Sequence, residues 1–193
     1  GMQEGVHVFY GAHATCLSGE NKEMSRDYPG VFSDWVVNHT PLDFAVYSAG
    51  AVASMGPETG PRQGFDRAQF MGEEMAKQVA LIQQFGFPYE NQLNLNFIRI
   101  PLFLRQPMVK ISENWALRPW VFKWAFGHST LEVSMIQLND LVMIGLPCDF
   151  SGELAVELYA YAKSKNLNLI ISSFNGGYAG YVTDDKWYDL EKY

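Results

Sequence analysis

Residues 141–173 read LVMIGLPCDFSGELAVELYAYAKSKNLNLIISS. The apolar run at 141–146 is typical of a buried strand, the segment from about Ser151 to Lys163 predicts a helix, and residues 167–172 form a second buried apolar run. A strand, a helix and a strand in this order make a βαβ-like unit. We therefore expect functional residues in the loops at the carboxyl ends of these strands.

The segments before this unit also alternate between strand and helix patterns. Strands are predicted at Val6–Ala12, Phe44–Ala49, 93–97 and 129–136, and helices from Pro29 through Val37 and over about Asp66–Phe85. Asn139-Asp140 predicts a tight turn between two strands. These patterns indicate an α/β fold with a mixed β-sheet flanked by helices.

The composition restricts the class of partner. The chain has 193 residues, so one domain is the default, and its net charge of −7 would repel a phosphate backbone, which argues against nucleic acid. No apolar run reaches the roughly 18 residues that a transmembrane segment needs. Only 18% of the residues are charged while 48% are hydrophobic, which indicates extra surface to be buried by a partner or by further chain.

His13 and Asp149 each follow a predicted strand. Among the four histidines, His13 ends a buried strand and is the candidate metal ligand, whereas His7 lies inside that strand and suits a structural hydrogen bond. Asp149 follows the apolar run at 141–146, where it could cap the next helix or remain free if Ser151 is the cap. The pattern alone leaves both alternatives open.

Two other features could contribute chemistry. The stretch 175–183, NGGYAGYVT, follows a buried strand, and its glycines would allow the backbone to approach a ligand or simply to form an irregular turn packed by tyrosines. A cysteine nucleophile, Cys16 or Cys148 paired with His13, is the rival chemistry, although buried inert thiols are more common. We expect both cysteines to be unpaired.

Taken together, these segments resemble the neutral ceramidases, the neutral and alkaline non-lysosomal ceramidase family. The resemblance covers nearly the whole chain and is carried by His13-Ala14-Thr15, Ser25–Gly30, 49–57, Pro147-Cys148-Asp149 and Tyr178–Thr183, in the family's order. The last of these matches the family's Tyr-x-x-Tyr-Val-Thr motif. By this resemblance, residues 1–193 form a single partial domain, similar to the second half of a ceramidase catalytic domain.

The resemblance implies a zinc-dependent amidohydrolase that cleaves the N-acyl amide of ceramide or a related lipid. Its zinc ligands would be His13, Asp149 and Tyr181, and Tyr188 and Tyr193 would lie near the scissile amide as catalytic residues. It also implies an extracytoplasmic or secreted location. Zn²⁺ is thus the expected cofactor and a lipid amide the expected substrate.

Two departures from the family pattern bear on activity. Asp149 stands where the family has glutamate, and the family's upstream His-x-His motif, which supplies a further zinc ligand and the general base, is absent from this sequence. The alternative is therefore a non-catalytic fragment or remnant that binds a partner or lipid. We expect a homo-oligomer or a missing N-terminal half to cover apolar surface near Val6, Phe9 and the loop at 175–181.

Overall fold

The computed structural model of the protein describes residues 3–86, 90–104 and 131–187, together with residues 110–112, 115–116, 118, 120–121 and 124. The described helices are α1 (Asp27–His39), α2 (Gly64–Gln83) and α3 (Gly152–Ser164), and a short 3₁₀ turn spans Asp185–Trp187. The described strands are β1 (Gly5–Tyr10), β2 (Phe44–Ala49), β3 (Leu95–Leu102), β4 (Lys110–Ser112), β5 (Trp115–Ala116), β6 (Leu131–Leu138), β7 (Leu141–Gly145), β8 (Asp149–Phe150), β9 (Asn168–Ser172) and β10 (Tyr181–Val182). The predicted α/β class is confirmed.

Four strands form a mixed sheet in the order β3-β6-β7-β9. The β3–β6 and β6–β7 pairs are antiparallel, whereas β7 and β9 are parallel and are connected through α3. The βαβ unit predicted from residues 141–173 is therefore confirmed. Asn139 in the β6–β7 turn has a φ of 53°, a left-handed conformation that asparagine tolerates better than most residues.

β1 and β2 form a separate parallel pair, against which α1 and α2 pack. Phe32 and Val36 of α1 and Ala76 of α2 are fully buried in this core. A Cβ atom placed on Gly72 of α2 would lie 2.6 Å from the Cβ of Val31, so glycine is what allows the two helices to approach so closely.

The β1–β2 pair and the four-stranded sheet meet where β2 and β9 end. The backbone N–H of Ser173 donates to the carbonyl oxygen of Ala49 at 2.9 Å, and its hydroxyl donates to the carbonyl oxygen of Gly50 at 2.7 Å. These bonds bring together the carboxyl ends of strands from both parts of the protein. The sequence predicts functional residues at these carboxyl ends.

The sequence predicts a half-buried strand at 93–97, and the predicted burial is wrong. Regular pairing begins only at Leu95, and the side chains of Leu95 and Phe97 are 66% and 55% exposed. Alternation in sequence does not reveal whether another element covers the apolar face of a strand, and β3, which lies at the edge of the sheet among the described strands, has these side chains exposed.

The surface expected to need a cover is half-buried at some of its residues and exposed at others. Val6 is half-buried against the core below α1, and Phe9 is also half-buried. Phe174, Tyr178 and Tyr181, in and beside the loop at 175–181, are more exposed. In the described part of the chain, none of the helices combines the length and hydropathy needed to cross a bilayer.

Candidate functional site

His13 is placed by a pair of buried tyrosines acting on the residue before it. The hydroxyls of Tyr28 and Tyr47 lie 2.7 and 3.1 Å from the carbonyl oxygen of Ala12 and 2.6 Å from each other, and their two protons serve this three-membered cluster. Burial raises the pKa of the Tyr28 hydroxyl well above its usual range, so it remains a protonated donor. The backbone N–H of His13 itself donates to the carbonyl oxygen of Met55 at 3.0 Å. These hydrogen bonds therefore fix the backbone that follows β1 and carries His13.

The loop after His13 is held by Asp27. Its carboxylate accepts from the backbone N–H of Leu17 at 3.0 Å and from that of Tyr28 at 2.6 Å. Asp27 adopts a φ of 51°, an uncommon conformation that the surrounding bonds must maintain. Asp27, in the motif at Ser25–Gly30, therefore stabilises the loop that follows His13.

Asp149 is free of the capping role that its position allowed. Ser151 caps α3 instead, because its hydroxyl accepts from the backbone N–H of Glu153 at 3.2 Å. Asp149 is only 2% exposed, and its backbone pairs with Tyr181 in the parallel β8–β10 ladder. Its carboxylate is consequently available for other contacts in a buried setting.

The glycine-rich loop at 175–180 places two tyrosines near Asp149. Gly177 has a φ of 153°, and a Cβ there would lie 2.5 Å from Cδ2 of Leu131, so the loop requires glycine at this point. The backbone N–H of Ala179 donates to the carbonyl oxygen of Pro147 at 2.6 Å. Tyr178 and Tyr181 are thereby placed beside the segment that carries Asp149.

The site's main feature is a buried polar pair. Nε2 of His13 lies 3.5 Å from Oδ1 of Asp149, and within the described residues neither atom has a hydrogen-bond partner. The other carboxylate oxygen, Oδ2, accepts from the hydroxyl of Tyr178 at 2.6 Å. The rings of His13 and Tyr181 have centroids 6.0 Å apart. The structure therefore brings the three predicted ligand residues together.

The distance within this pair is compatible with two ligands of one metal ion. Two ligand atoms bound at 2.0–2.2 Å in tetrahedral geometry lie about 3.4 Å from each other. Among the residues that the structure describes, however, there is no group of three or more His, Cys, Asp or Glu side chains that could hold a metal. Among the described residues beside this pair, tyrosine hydroxyls are the candidates for a third protein ligand.

A cavity opens directly in front of this cluster. Its volume is about 440 Å³, and it is lined by His13, Tyr181 and residues 53–56. Phe174 borders the cluster, with its ring centroid 6.4 Å from that of His13. The neighbouring cavity, of about 610 Å³ and lined largely by apolar side chains of β1, α3 and β9, shares Ser54 and Met55 with the first. Both are large enough to take part of an apolar molecule.

The remaining candidate residues either lie away from this cluster or fall outside the described residues. Tyr188 and Tyr193 lie outside the described residues. His7 makes the predicted structural hydrogen bond, with its Nε2 2.8 Å from the Ser48 hydroxyl.

Cys16 and Cys148 are free, as predicted, but both are buried. Burial raises the pKa of the Cys16 thiol to about 12 and that of the Cys148 thiol to about 11, so neither provides a thiolate near neutral pH. The rival cysteine chemistry is not supported.

The sequence interpretation overlooked Tyr178 as a site residue. Tyr178 lies three residues before Tyr181, within the same motif. The signal that could have identified Tyr178 is its place on a loop with several glycines, because such a loop can fold back onto β8.

The comparisons with known proteins bear on the fold. No protein-family model and no curated protein matches the sequence. The solved structure of neutral ceramidase from Pseudomonas aeruginosa matches 93% of this chain with a TM-score of 0.67 and 15% identity. A structure described as ceramidase complexed with C2 matches 93% with a TM-score of 0.68 and 14% identity. This chain spans 38% and 40% of those two chains. The resemblance drawn from the sequence motifs is thus confirmed as a likeness of structure: the chain has the fold of part of the neutral ceramidases.

Proposed function

We propose that this protein is a zinc-dependent amidohydrolase of the ceramidase type, acting on the N-acyl amide of ceramide or a related lipid. The observation that carries the proposal is the buried pair formed by Nε2 of His13 and Oδ1 of Asp149, 3.5 Å apart and without hydrogen-bond partners in the described chain. Leaving such atoms unpaired costs about 1–3 kcal/mol for each group, which is difficult to explain unless something binds between them.

The residues that would hold zinc are His13 through Nε2, Asp149 through Oδ1 and Tyr181 through its hydroxyl. This set of one nitrogen and two oxygens is a combination that zinc accepts. When bound, zinc would supply a water of lowered pKa, about 7, and would polarise the amide carbonyl. The resemblance of the sequence motifs to those of the neutral ceramidases is the reason for choosing zinc over other metals.

The other residues of the chain would bind and orient the substrate. The cavity beside His13 and Tyr181 gives the amide access to the pair, and the neighbouring apolar cavity suits a hydrocarbon chain. Phe174 would exclude water from one side of His13. We further propose that Tyr188 and Tyr193 donate hydrogen bonds to the carbonyl oxygen as charge develops on it.

The sequence offers no residue that we assign as the general base. No His-x-His motif occurs in it, and His13 is already assigned to the metal. In this proposal the chain supplies one part of a ceramidase-type catalytic domain, and the base comes from elsewhere.

Zinc binding provides the direct test. The affinity of the purified chain for Zn²⁺ would be measured by competition with a chromophoric chelator, for the wild type and for His13→Gln and Asp149→Asn. The matched controls are His39→Gln and Asp66→Asn, whose side chains lie on α1 and α2 away from the pair. We expect a large loss of affinity in the two site variants alone. Equal affinity in all five proteins would refute the zinc site and favour a role in binding a lipid or a partner.

A further inference from the structure

The two carboxylate oxygens of Asp149 have different surroundings. Oδ2 accepts a hydrogen bond of 2.6 Å from the Tyr178 hydroxyl, whereas Oδ1 faces Nε2 of His13 and accepts no hydrogen bond from the described residues. The carboxylate is almost fully buried, so water does not equalise the two oxygens. The hydrogen bond from Tyr178 therefore sets the direction in which Asp149 presents Oδ1.

The ring of Tyr178 is held on one side by Phe174. The two rings stack, with centroids 6.2 Å apart and planes inclined by 20°. Phe174 is anchored in turn, because its backbone N–H donates to the carbonyl oxygen of Cys148 at 3.2 Å. The Tyr178 hydroxyl therefore meets Oδ2 from a fixed direction.

A carboxylate with two free oxygens can bind a cation through both of them, or can rotate between the two. Large cations such as Ca²⁺ take six to eight oxygen ligands and commonly use carboxylates in this bidentate way. A strong hydrogen bond from a neutral hydroxyl to one carboxylate oxygen opposes both outcomes, since binding through that oxygen would break the bond.

We propose that Tyr178 is a positioning residue that makes Asp149 a one-oxygen metal ligand. It engages Oδ2 and directs Oδ1 toward Nε2 of His13, and so selects a small four-coordinate cation. This inference rests on the proposed zinc site and names the residue that shapes it. Tyr178 does not contact the metal in this arrangement and acts only through Asp149.

Tyr178→Phe removes the hydroxyl and keeps the ring that stacks on Phe174. Hydrogen-bond partners of metal ligands typically change metal affinity by 10–100-fold when they are lost, and we expect a reduction of that size for zinc in this variant. The control is Tyr161→Phe on α3, whose exposed ring lies near Lys165. Thermal unfolding without metal would confirm that both variants fold.

The visible absorption of bound Co²⁺ gives a second measurement that a purely structural role would not affect. Intense d–d bands mark four-coordinate cobalt, and we expect them to weaken in Tyr178→Phe, because a released Oδ2 lets Asp149 bind through both oxygens. Wild-type zinc affinity and an unchanged cobalt spectrum in Tyr178→Phe, with zinc binding lost in Asp149→Asn, would overturn the positioning role and leave the zinc site standing. Unchanged zinc affinity in Asp149→Asn would instead remove the zinc site and this inference with it.

Discussion

Nε2 of His13 lies 3.5 Å from Oδ1 of Asp149, and neither atom is hydrogen-bonded within the described part of the chain. Strands from both halves of the fold must end at the same place for the two side chains to meet, and the Ser173 bonds to Ala49 and Gly50 are what bring those ends together. Without metal, a buried carboxylate oxygen that accepts no hydrogen bond from the described residues costs free energy.

Replacing Asp149 by asparagine should stabilise the metal-free protein. The side-chain amide has the same shape, its oxygen can still accept from Tyr178, and its N–H can donate to Nε2 of His13. We expect the free energy of unfolding in urea, measured with a chelator present, to rise by about 1 kcal/mol as an unpaired group gains a partner. The same variant should lose the stabilisation that zinc gives the wild type, which is about 2.7 kcal/mol when free zinc is 100 times the dissociation constant.

Asp149→Ala serves as the control for this change. It leaves the Tyr178 hydroxyl without its acceptor and opens a small cavity, so it should lower stability. A marked loss of metal-free stability in Asp149→Asn would show that another group satisfies the wild-type carboxylate.

Asp27→Ala should destabilise the protein by about 3 kcal/mol, because two backbone N–H groups, those of Leu17 and Tyr28, lose bonds to a charged acceptor. Urea unfolding followed by tryptophan fluorescence would measure the change. Asp34→Ala on the same helix is the matched control, since its exposed ion pair with Arg26 contributes at most about 1 kcal/mol. Equal effects of the two substitutions would contradict the supporting role of Asp27.

How far the sequence predicts this site differs between its residues. That His13 and Asp149 follow strands was predictable, because buried strands leave local apolar runs. The strand bounds were less so, since β1 ends at Tyr10 and β7 at Gly145, a few residues before the two side chains. The choice between Asp149 and Ser151 as helix cap was not predictable, since both residue types cap helices well and only the backbone conformation decides.

Long-range contacts mark the limit of prediction from this single sequence. The bond from Tyr178 to Asp149 depends on how a loop with left-handed glycines folds back on β8, and no periodic pattern records that path. The exposure of Leu95 and Phe97 was missed for a related reason, because it depends on which element neighbours β3 in space.

Gly177→Ala should be markedly more harmful than Gly176→Ala. At Gly177 the φ of 153° is unfavourable for any side chain, and the new Cβ would meet Leu131 at 2.5 Å. At Gly176 the φ is 70°, and apart from its chain neighbours no atom of the described residues lies within 4 Å of the new Cβ. Strained backbone of this kind costs about 1–3 kcal/mol, to which Gly177 adds a steric clash. Unfolding free energies of both variants would test this, and the same loss in each would show that the loop adapts freely.

Both thiols should react slowly in the folded protein. Burial raises the pKa of Cys16 to about 12 and that of Cys148 to about 11, and only the thiolate reacts. At pH 8 we expect labelling with a disulfide reagent to be slow in buffer and complete for both cysteines in denaturant. The raised pKa values also mean that the thiols' contribution to stability is present below about pH 8.5, the ordinary thiol pKa, and is lost as the pH rises toward the folded-state values. Rapid labelling of one thiol in buffer would reopen the cysteine mechanism.

The purified chain of 193 residues should hydrolyse N-acyl sphingosine slowly or not at all, even when it is loaded with zinc. The proposed ligands can bind and orient an amide, but the sequence contains no His-x-His motif to supply a general base, and proton transfer by such a base is typically worth 10²–10⁴-fold in rate. Release of a fluorescent fatty acid from a labelled N-acyl sphingosine would be followed with zinc and with chelator, using Asp149→Asn as the blank. Because the zinc titration measures the metal site separately, low turnover together with tight zinc binding is the expected combination. Fast zinc-dependent turnover that disappears in Asp149→Asn would mean that a residue of this chain acts as the base, and that the catalytic roles assigned here must be redistributed.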